Sequence, residues 1–577
     1  MTRTSRASVG IRASRPLWIA RLVWESAPAV LLAVSAAVAV AYFFTFLRPV
    51  AEQLDGVLPV DPADADPTVA VLSAIGLVAL TVGLFRGKSV AWWLAMATLT
   101  ASLLAQARAM SHPLGVVLIG GLLAVLVADR RRYVVETGGG NRRIIVGLVV
   151  VGGLFVGLET SLVIATTGDW PRPLAAASDI TAAIGNALGL SDTTANAVLH
   201  QTSLNAILGL LLLASRLPLV LAALGVLGRV PEPAPDPTTR ARARAIAEQY
   251  GCGALLPFQL GEDKLVFSPS DYQGLVVYGL AGRMAVVLGD MIGPDEAAPK
   301  VFTEFLARCR RLDRVPVVYQ ASSAARAMLV AAGFRVFKVG EEGVIDLSTF
   351  DTSGTRRANL RHTITRCRKD GVSFRWFPDG LPALESKLLG ELEAINSAWL
   401  KTARPEMGFT ISRLERRALF AQPVCVAVGS AGTAVAFTTY RSTGMDGGWV
   451  LDLMRRHLDG PPGAVEASIA EAADAFKAAG ARTLSLGLAP LSGLDVSSSV
   501  LEERLLARAS RVVEPWYDVR GLARFKNKFD PVWIPRFGAI RRRRDLAGFV
   551  IGLLRIHLGG ALRLTRRRAA TRQVAAS

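Results

Sequence analysis

The sequence contains little cysteine and little histidine for a chain of 577 residues. The four cysteines are scattered, with no CxxC pair and no histidine at ligand spacing: Cys252, Cys309, Cys367 and Cys425. The five histidines form no triad or ligand pattern: His112, His200, His362, His457 and His557. These absences argue against a disulfide framework and a zinc site. We therefore expect reduced thiols, no metal and no cofactor.

Acidic residues are also scarce relative to basic ones. The chain has 66 Lys and Arg against 47 Asp and Glu, a net charge of +19, while 51% of its residues are hydrophobic and the mean hydropathy is +0.36. A chain that is both apolar and basic is expected to meet polyanions, either acidic lipid headgroups or nucleic acid.

Long apolar segments occupy the first 229 residues. Six are long enough to be candidate membrane spans, which need roughly 17–25 residues: Ala27–Leu47, Thr68–Phe85, Ser89–Ala107, Pro113–Ala128, Ile144–Thr167 and Leu204–Leu227. Basic loops alternate with loops poor in basic residues, and the positive-inside rule then places both termini in the cytoplasm. We expect a polytopic α-helical membrane domain over residues 1–229, with no cleaved signal peptide.

A Pro-rich linker and helix start, residues 230–247, separates this region from a differently patterned half. There, short β-type runs alternate with helical patterns in two successive rounds, residues 248–382 and 383–540. The run FRVFKVGEEGVIDL is interpreted as two strands, with Glu341 and Glu342 at the tip between them. Apolar residues of 465–479 fall on one helical face. The pattern predicts two α/β units in tandem, of class α/β (α+β).

The stretch WVLDLMRRHLDGPPGAVEASI, residues 449–469, joins a strand to a helix through a basic, Gly/Pro-rich turn. Such a turn can hold an anion, because backbone N–H groups and the positive start of the helix point toward it. Arg456 and Gly463 would line this turn, and Asp452 and Arg455 precede it. The alternative is an ordinary strand–helix loop.

Seven motifs in order carry a specific resemblance. They include VVYGLAGRMAVVLGDMIGP, GTRRANLRHTITRCRKDGVSF, LDLMRRHLDGPPGAVEASI, LSLGLAPLSGL and LARFKNKFDPVWIPRF, and they span Gly253–Ala539. This series resembles the C-terminal domain of the lysylphosphatidylglycerol synthase (aminoacyl-phosphatidylglycerol synthase, multiple peptide resistance factor) family. The resemblance implies a tandem GNAT-type fold whose second unit is catalytic. It also implies transfer of an amino acid, expected to be lysine, from aminoacyl-tRNA to the glycerol hydroxyl of phosphatidylglycerol, which confers resistance to cationic antimicrobial peptides.

Asp452 is the first candidate for the catalytic acid, either as a base for the attacking hydroxyl or as a binder of the substrate amine. Arg455 would then face the lipid phosphate or the 3′ end of the tRNA; alternatively, Asp452 only pairs with Arg455. The loop SLGLAPLSGLD resembles the floor of the family's active site and contributes Ser485, Gly487, Ser492, Gly493 and Asp495. Glu341 and Glu342 either attract a cationic aminoacyl group or form a solvated hairpin tip.

A further set of basic residues is expected to contact tRNA or lipid phosphates: Arg356, Arg357, Arg361, Lys526, Lys528 and Arg536. Residues 541–577 form a basic–apolar–basic tail that is expected to lie on the surface of an anionic membrane. We therefore expect a multi-pass protein of the plasma membrane with its synthase domain in the cytoplasm. Two alternatives remain open, an acyl-CoA-dependent N-acyltransferase that binds CoA at Arg456–Gly463, and a non-catalytic protein that binds lipid or nucleic acid.

Overall fold

The structure is a computed structural model, and it describes residues 67–109, 113–137, 142–155, 217–228, 234–353, 355–402, 408–495, 497–513 and 518–557, together with the isolated residues Ala33 and Glu232. The chain divides into two compact units. The N-terminal unit is Met1–Glu232 with Arg310–Asp313, and the C-terminal unit is Pro233–Cys309 with Arg314–Ser577.

The described part of the N-terminal unit is mainly helical. Its helices are α1 (Pro67–Phe85), α2 (Ser89–Ala109), α3 (Pro113–Ala128), α4 (142–155) and α5 (217–226), with a short 3-10 turn at Arg130–Arg132. Trp92, Leu99 and Ile119 are buried in their shared core, and the Trp92 indole N–H donates to the Leu126 carbonyl at 2.8 Å. Among the described residues, no helix has both the length and the apolar character that a membrane span needs. The first predicted span, and parts of the fifth and sixth, lie outside the described residues.

The C-terminal unit contains eleven strands among its described residues. They are β1 (Leu265–Phe267), β2 (Val276–Ala281), β3 (Met284–Leu288), β4 (Val315–Ala321), β5 (Arg335–Asp346), β6 (Ser373–Phe377), β7 (Val424–Val428), β8 (Ala434–Ser442), β9 (Trp449–Arg456), β10 (Thr483–Pro490) and β11 (Val532–Ile540).

Helices cover this sheet and connect its strands. They are α6 (Pro237–Tyr250), α7 (Leu256–Gln259), α8 (Ala298–Arg311), α9 (Arg326–Ala331), α10 (Ala358–Lys369), α11 (Ser386–Thr402), α12 (Arg416–Leu419), α13 (Ala464–Ala478), α14 (Leu501–Val513), α15 (Val519–Asn527) and α16 (545–557). The helical face predicted for residues 465–479 is confirmed, because Val465, Ile469 and Phe476 of α13 are all buried.

A single sheet runs through both α/β rounds, in the order β1-β2-β3-β4-β11-β5-β10-β9-β8-β7-β6. The last strand, β11, lies in the middle of this sheet, antiparallel to β4 and β5. It carries a proline, which the interior of a sheet usually excludes because proline has no backbone N–H. Pro535 is accommodated because β11 pairs with β4 only at Phe537 and Ala539, after the proline.

The parallel pair β9 and β10 opens after its first residues. Leu484 pairs with Trp449 and Ser485 with Val450, and no further pair is formed between these strands. The corresponding parallel pair in the first round, β3 and β4, stays paired from Met284 to Leu288. The opening leaves the β9 backbone unpaired with β10 after Val450, so the structure points to the second round as the place for a site.

The run predicted as two strands with a tip at Glu341 and Glu342 is instead one strand of 12 residues, β5. Gly340 and Gly343 resemble turn residues in the sequence, but β5 pairs on both sides here, with β10 and β11. Gly340 has a φ of +155°, and a Cβ on it would lie 2.5 Å from the Ala489 carbonyl oxygen, so the glycine serves close strand approach.

The described part of the predicted surface tail, residues 541–557, includes α16, and its location at a membrane stays a prediction. One face of α16 packs into the core of the C-terminal unit, where Phe549 makes edge-to-face contact with Phe337 at 5.5 Å between ring centroids. His557 is buried at the end of the helix, while Ile551 and Leu554 remain exposed on the other side. This first part of the tail therefore belongs to the fold.

Candidate active site

Asp452 lies in a β-bulge on β9. Thr438 pairs with Met454 and Tyr440 pairs with Leu451, so Asp452 and Leu453 together stand opposite Thr439 alone. Bulges of this kind redirect a side chain and are common beside active sites. The Asp452 carboxylate has no exposed surface; Oδ1 accepts from the Ser412 backbone N–H at 3.0 Å and Oδ2 from the Arg441 Nε–H at 2.9 Å.

Arg441, on the neighbouring strand β8, connects this buried acid to a large cavity. Its side chain remains 31% exposed and lines a cavity of about 1730 Å³. The wall of the cavity also includes Ser412, Phe409 and Lys264. Arg441 and Asp452 thus form an ion pair. The Asp452 carboxylate lies inside the protein, and the Arg441 guanidinium faces the cavity.

Lys264 is another cation of the cavity wall. Its ammonium group lies 2.6 Å from the Asp263 carboxylate and 4.9 Å from the centre of the Phe409 ring. Burial lowers its pKa, while the neighbouring Asp263 opposes that shift. Phe409 itself has a φ of +72°, a rare backbone conformation for a large side chain, and lies on the loop that brings Ser412 to Asp452.

Arg455 does not pair with Asp452, because the acid's partner is Arg441. Its guanidinium stacks 4.0 Å above the centre of the Trp399 ring, and its Nε–H donates to Asn396 at 3.1 Å. Both of these partners lie on α11. Arg455 is buried, so in this structure it braces α11 against β9, and contact with a phosphate would require that packing to open.

The predicted anion turn is partly blocked. Gly463 has a φ of +88°, and a Cβ on it would lie 2.3 Å from Thr363 Cγ2, so α10 closely approaches the start of α13. Glu466 lies in the first turn of α13 and accepts from Lys528 Nζ at 2.8 Å. A carboxylate already occupies the positive helix end. Arg456 remains exposed beside this turn.

Four residues predicted as separate contacts form one buried network. Ser485 Oγ donates to Glu342 at 2.5 Å, and Arg536 donates to the other oxygen of Glu342, its Nε–H at 2.7 Å. Lys526 Nζ donates to the carbonyl oxygens of Gly487 and Leu488, each at 2.8 Å. Glu342 is therefore no solvated tip, and Lys526 and Arg536 are not surface phosphate contacts.

Burial sets the electrostatics of this network. It lowers the pKa of Lys526 to about 7, and the nearby Glu342 opposes that shift. Gly487, with a φ of +76°, lies where the pairing of β10 with β5 shifts register, between Ser485 and Leu488. The network joins β5, β10 and β11.

The remaining loop residues form a more exposed group. Glu341 pairs with Lys338 at 2.6 Å, and its carboxylate closely approaches Gly493. Ser492 Oγ donates to Glu341 at 3.4 Å. Asp495 is exposed and accepts from the Ser497 backbone N–H at 2.8 Å and from its hydroxyl; these bonds lower the pKa of Asp495. Asp495 thus shapes its own loop.

The basic residues around α10 divide into two kinds. Arg357 is largely buried, and its guanidinium donates to the carbonyl oxygens of Asp351 and Phe529. Arg356 and Arg361 are exposed, as are three further cations of this helix: Arg366, Arg368 and Lys369. Lys528 is engaged with Glu466. The exposed face of α10 thus remains the candidate phosphate-binding surface from the predicted set.

Sequence reasoning missed Arg441 and Ser412. Arg441 lies two positions from Asp452 across the β8–β9 ladder, in the ordinary strand pattern GTAVAFTTYRS, and Ser412 comes from a loop forty residues earlier. For Arg441 there is a sequence signal, because it is a basic residue at the end of a strand whose neighbouring strand carries the buried acid. No local signal could have identified Ser412, because a backbone N–H is its only contribution.

A mixed α/β sheet with one opened parallel pair, and a buried acid on a bulge beside a cavity, define the C-terminal unit as an α/β protein with a candidate active site in its second round. The family model "Phosphatidylglycerol lysyltransferase, C-terminal" matches residues 244–540 of this chain. The match covers more than half of the chain, and the chain belongs to this family.

Individual relatives agree with that assignment. The chain is 30% identical over 307 residues to the phosphatidylglycerol lysyltransferase of Bacillus subtilis (strain 168), covering 53% of this chain and 35% of the relative. It is 28% identical over 304 residues to that of Staphylococcus aureus (strain MRSA252), covering 52% and 36%. The chain therefore matches only about a third of the length of these curated relatives.

Two solved structures are also similar. "The structure of L-PGS from Bacillus licheniformis" has 30% identity and a TM-score of 0.49, covering 56% of this chain and 97% of that chain. The C-terminal domain of a putative lysylphosphatidylglycerol synthetase from Agrobacterium fabrum has 27% identity and a TM-score of 0.48, covering 56% and 98%.

Proposed function

We propose that this protein is a membrane-bound aminoacyltransferase that moves lysine from lysyl-tRNA to a glycerol hydroxyl of phosphatidylglycerol. The observation that carries the proposal is the family match over residues 244–540, which includes all eleven strands of the sheet. The reaction converts a lipid with net negative charge into one with net positive charge. The cell surface therefore becomes less negative and binds cationic antimicrobial peptides less well.

The reaction is an ester exchange. The lipid hydroxyl oxygen bonds to the aminoacyl carbonyl carbon, the bond to the tRNA 3′ oxygen breaks, and the hydroxyl proton goes to that oxygen. Because the donor is already an activated ester, the protein's tasks are to position the two substrates and to stabilise the negative charge that develops on the carbonyl oxygen. The cavity offers space for this, and the Arg441 guanidinium offers a positive group at its wall.

A tRNA donor fits this chain better than an acyl-CoA donor. CoA binding at Arg456–Gly463 would need free backbone N–H groups for the pyrophosphate, but Pro461 and Pro462 have none, and the Glu466 carboxylate already lies at the helix start. The exposed cations of α10 suit a long polyanion, which gains affinity from many weak phosphate contacts.

Integral membrane location is part of the same proposal. The described helices of the N-terminal unit expose large apolar side chains as well as burying them; Trp93, Val117 and Leu154 are each more than 60% exposed. A water-facing helix rarely carries such residues in quantity, whereas a lipid-facing helix does. We place both termini and the C-terminal unit in the cytoplasm, where tRNA and the inner leaflet are available.

Lipid mass spectrometry tests the function. A host that lacks aminoacylated phosphatidylglycerol would express the wild-type chain, Asp452→Ala, or Asp271→Ala, an exposed loop acid that serves as the matched control. We expect a phosphatidylglycerol species heavier by one lysyl residue in the wild type and the control, and none with Asp452→Ala. A wild-type chain that is present in the membrane but yields no new lipid contradicts the proposal.

A further inference from the structure

We propose that Arg441 is the anion-binding group of the cavity and takes a phosphodiester, with Asp452 acting as the positioning residue that aims it. This inference rests on the proposed function for the origin of that phosphodiester, which is either the acceptor lipid or the 3′-terminal nucleotides of the donor tRNA. It assigns Asp452 a role different from base or amine binder.

The Asp452 carboxylate is enclosed by protein, with one donor on each oxygen. One oxygen accepts from the Ser412 N–H and the other from Arg441 Nε, and the side chain has no exposed surface. A general base needs its oxygen within hydrogen-bond reach of the proton it removes. Here both oxygens face protein donors, and Arg441 stands between the acid and the cavity.

The orientation of Arg441 leaves its outer N–H groups on the cavity side. Asp452 engages only the inner Nε–H. Within the part of the chain that the structure describes, Nη1 and Nη2 donate to no protein acceptor, and the side chain lines the cavity. A guanidinium held at Nε presents its outer edge as a fork of N–H donors, the geometry that matches two oxygens of a phosphate.

The backbone fixes the positions of Arg441 and Asp452 relative to each other. Arg441 and Asp452 come from adjacent antiparallel strands, Arg441 pairing with Val450, and the bulge at Asp452 sets the direction of the carboxylate. The loop that supplies Ser412 N–H is itself tied to α16, because the Gly408 N–H donates to the His557 carbonyl at 2.9 Å. The cation is therefore fixed before any ligand arrives, which lowers the entropic cost of binding.

Equilibrium binding to the full-length protein in detergent micelles tests the site without requiring turnover. The probes are dihexanoyl-phosphatidylglycerol and dihexanoylglycerol, which lacks the phosphodiester. We expect Arg441→Gln to weaken binding of the phospholipid roughly 10- to 100-fold and to leave the neutral lipid unchanged. Arg482→Gln, which removes an exposed arginine outside the cavity lining, should change neither.

The second arm identifies the source of the phosphodiester. KM is measured for lysyl-tRNA and for 3′-O-lysyl-adenosine, which has no phosphodiester. If Arg441→Gln raises KM for lysyl-tRNA alone and spares phospholipid binding, the bound group belongs to the tRNA terminus; the reverse result assigns it to the lipid. If both affinities stay within twofold of wild type, Arg441 is not an anion-binding residue and the proposal fails.

Asp452→Asn separates positioning from direct catalysis. As a positioning residue, Asp452 should give no further loss of phosphodiester binding in the Arg441→Gln background, because the two changes remove one interaction. In a second outcome, the losses of kcat caused by the two single changes add up in the double variant, and Asp452→Asn loses the acid limb of the pH profile. Asp452 would then be the base, which contradicts the proposal. Failure of the transferase function appears differently, as normal binding without any lipid product.

Discussion

Lys526 illustrates, at the scale of single residues, how burial changes what a charged side chain can do. In the sequence it is one of two lysines in the basic motif LARFKNKFDPVWIPRF, but in the structure it is only 4% exposed and donates to the Gly487 and Leu488 carbonyl oxygens. The pKa of Lys526 falls to about 7, because the protein interior disfavours its charge. Through its hydrogen bonds to these two carbonyl oxygens, Lys526 supports the backbone at the opened strands.

A pH dependence of stability follows from that pKa. The unfolded lysine keeps the ordinary pKa of 10.5, so between about pH 7 and 10.5 the unfolded state binds more protons than the folded one, and the free energy of unfolding gains a contribution that rises with pH. We expect Lys526→Met to remove this rise, measured by denaturant unfolding at pH 7, 8 and 9. Lys528→Met, at a half-exposed lysine, should retain it. Equal slopes in wild type and Lys526→Met would contradict the assignment.

At the scale of elements, β11 holds the two α/β rounds together. It lies between β4 and β5, although it is the last strand in the chain, and it contributes Arg536 to Glu342 of β5. The 6% exposed Glu342 carboxylate also accepts from Ser485 of β10, so three strands meet at one buried acid.

Breaking this pair should therefore be costly. Arg536→Ala leaves a buried carboxylate without its cation, and we expect a loss of about 3–5 kcal/mol in the free energy of unfolding. The double variant Glu342→Gln/Arg536→Met removes both charges and should recover part of that loss. Chemical denaturation with a double-mutant cycle checks this. If Arg536→Ala costs less than about 1 kcal/mol, β11 is not anchored in this way.

The basic helix α10 carries the second prediction at this scale. Exchanging the exposed Arg361 and Arg366 for Gln should weaken tRNA binding and reduce its dependence on salt, and the slope of log K against log salt should fall by roughly 1 for each phosphate that is no longer neutralised. The change is measured by fluorescence anisotropy at several salt concentrations. A matched variant with Lys387→Gln and Lys401→Gln on α11 removes the same charge elsewhere. If both double variants behave alike, only net charge matters and α10 is not the contact surface.

At the scale of the whole molecule, local patterns predicted a good part of the fold. The helix at Ala464–Ala478 was recognisable because its apolar residues recur at the helical period on one face. The family was recognisable from motifs in order along the chain, and the match over residues 244–540 confirms it. The opened strands lie in the second round, and the catalytic role of that round stays a prediction.

The features that sequence missed all depend on long-range pairing. β11 is central only because it joins β4 and β5 from far along the chain, and its Pro535 and Arg536 look unlike a central strand. Glu342 appeared to be at a turn because its neighbours are glycines, although strands on both sides hold it extended. Arg455, three residues away, was the alternative partner considered for Asp452, whereas a bulge and an adjacent strand supply Arg441. No local period contains such information.

The most direct test of the account is a transfer assay with defined components. Full-length protein, reconstituted in bilayers that contain phosphatidylglycerol, would receive tRNA charged with radiolabelled lysine, and label in the lipid fraction would be measured over time. We predict label in phosphatidylglycerol with the wild type, and a rate at least about 100-fold lower with Asp452→Ala, of the order found when a charge-assisted hydrogen bond is removed from an active site. Label that stays on the tRNA with wild-type protein, while acetyl-CoA supports acylation of an amine, would contradict the account.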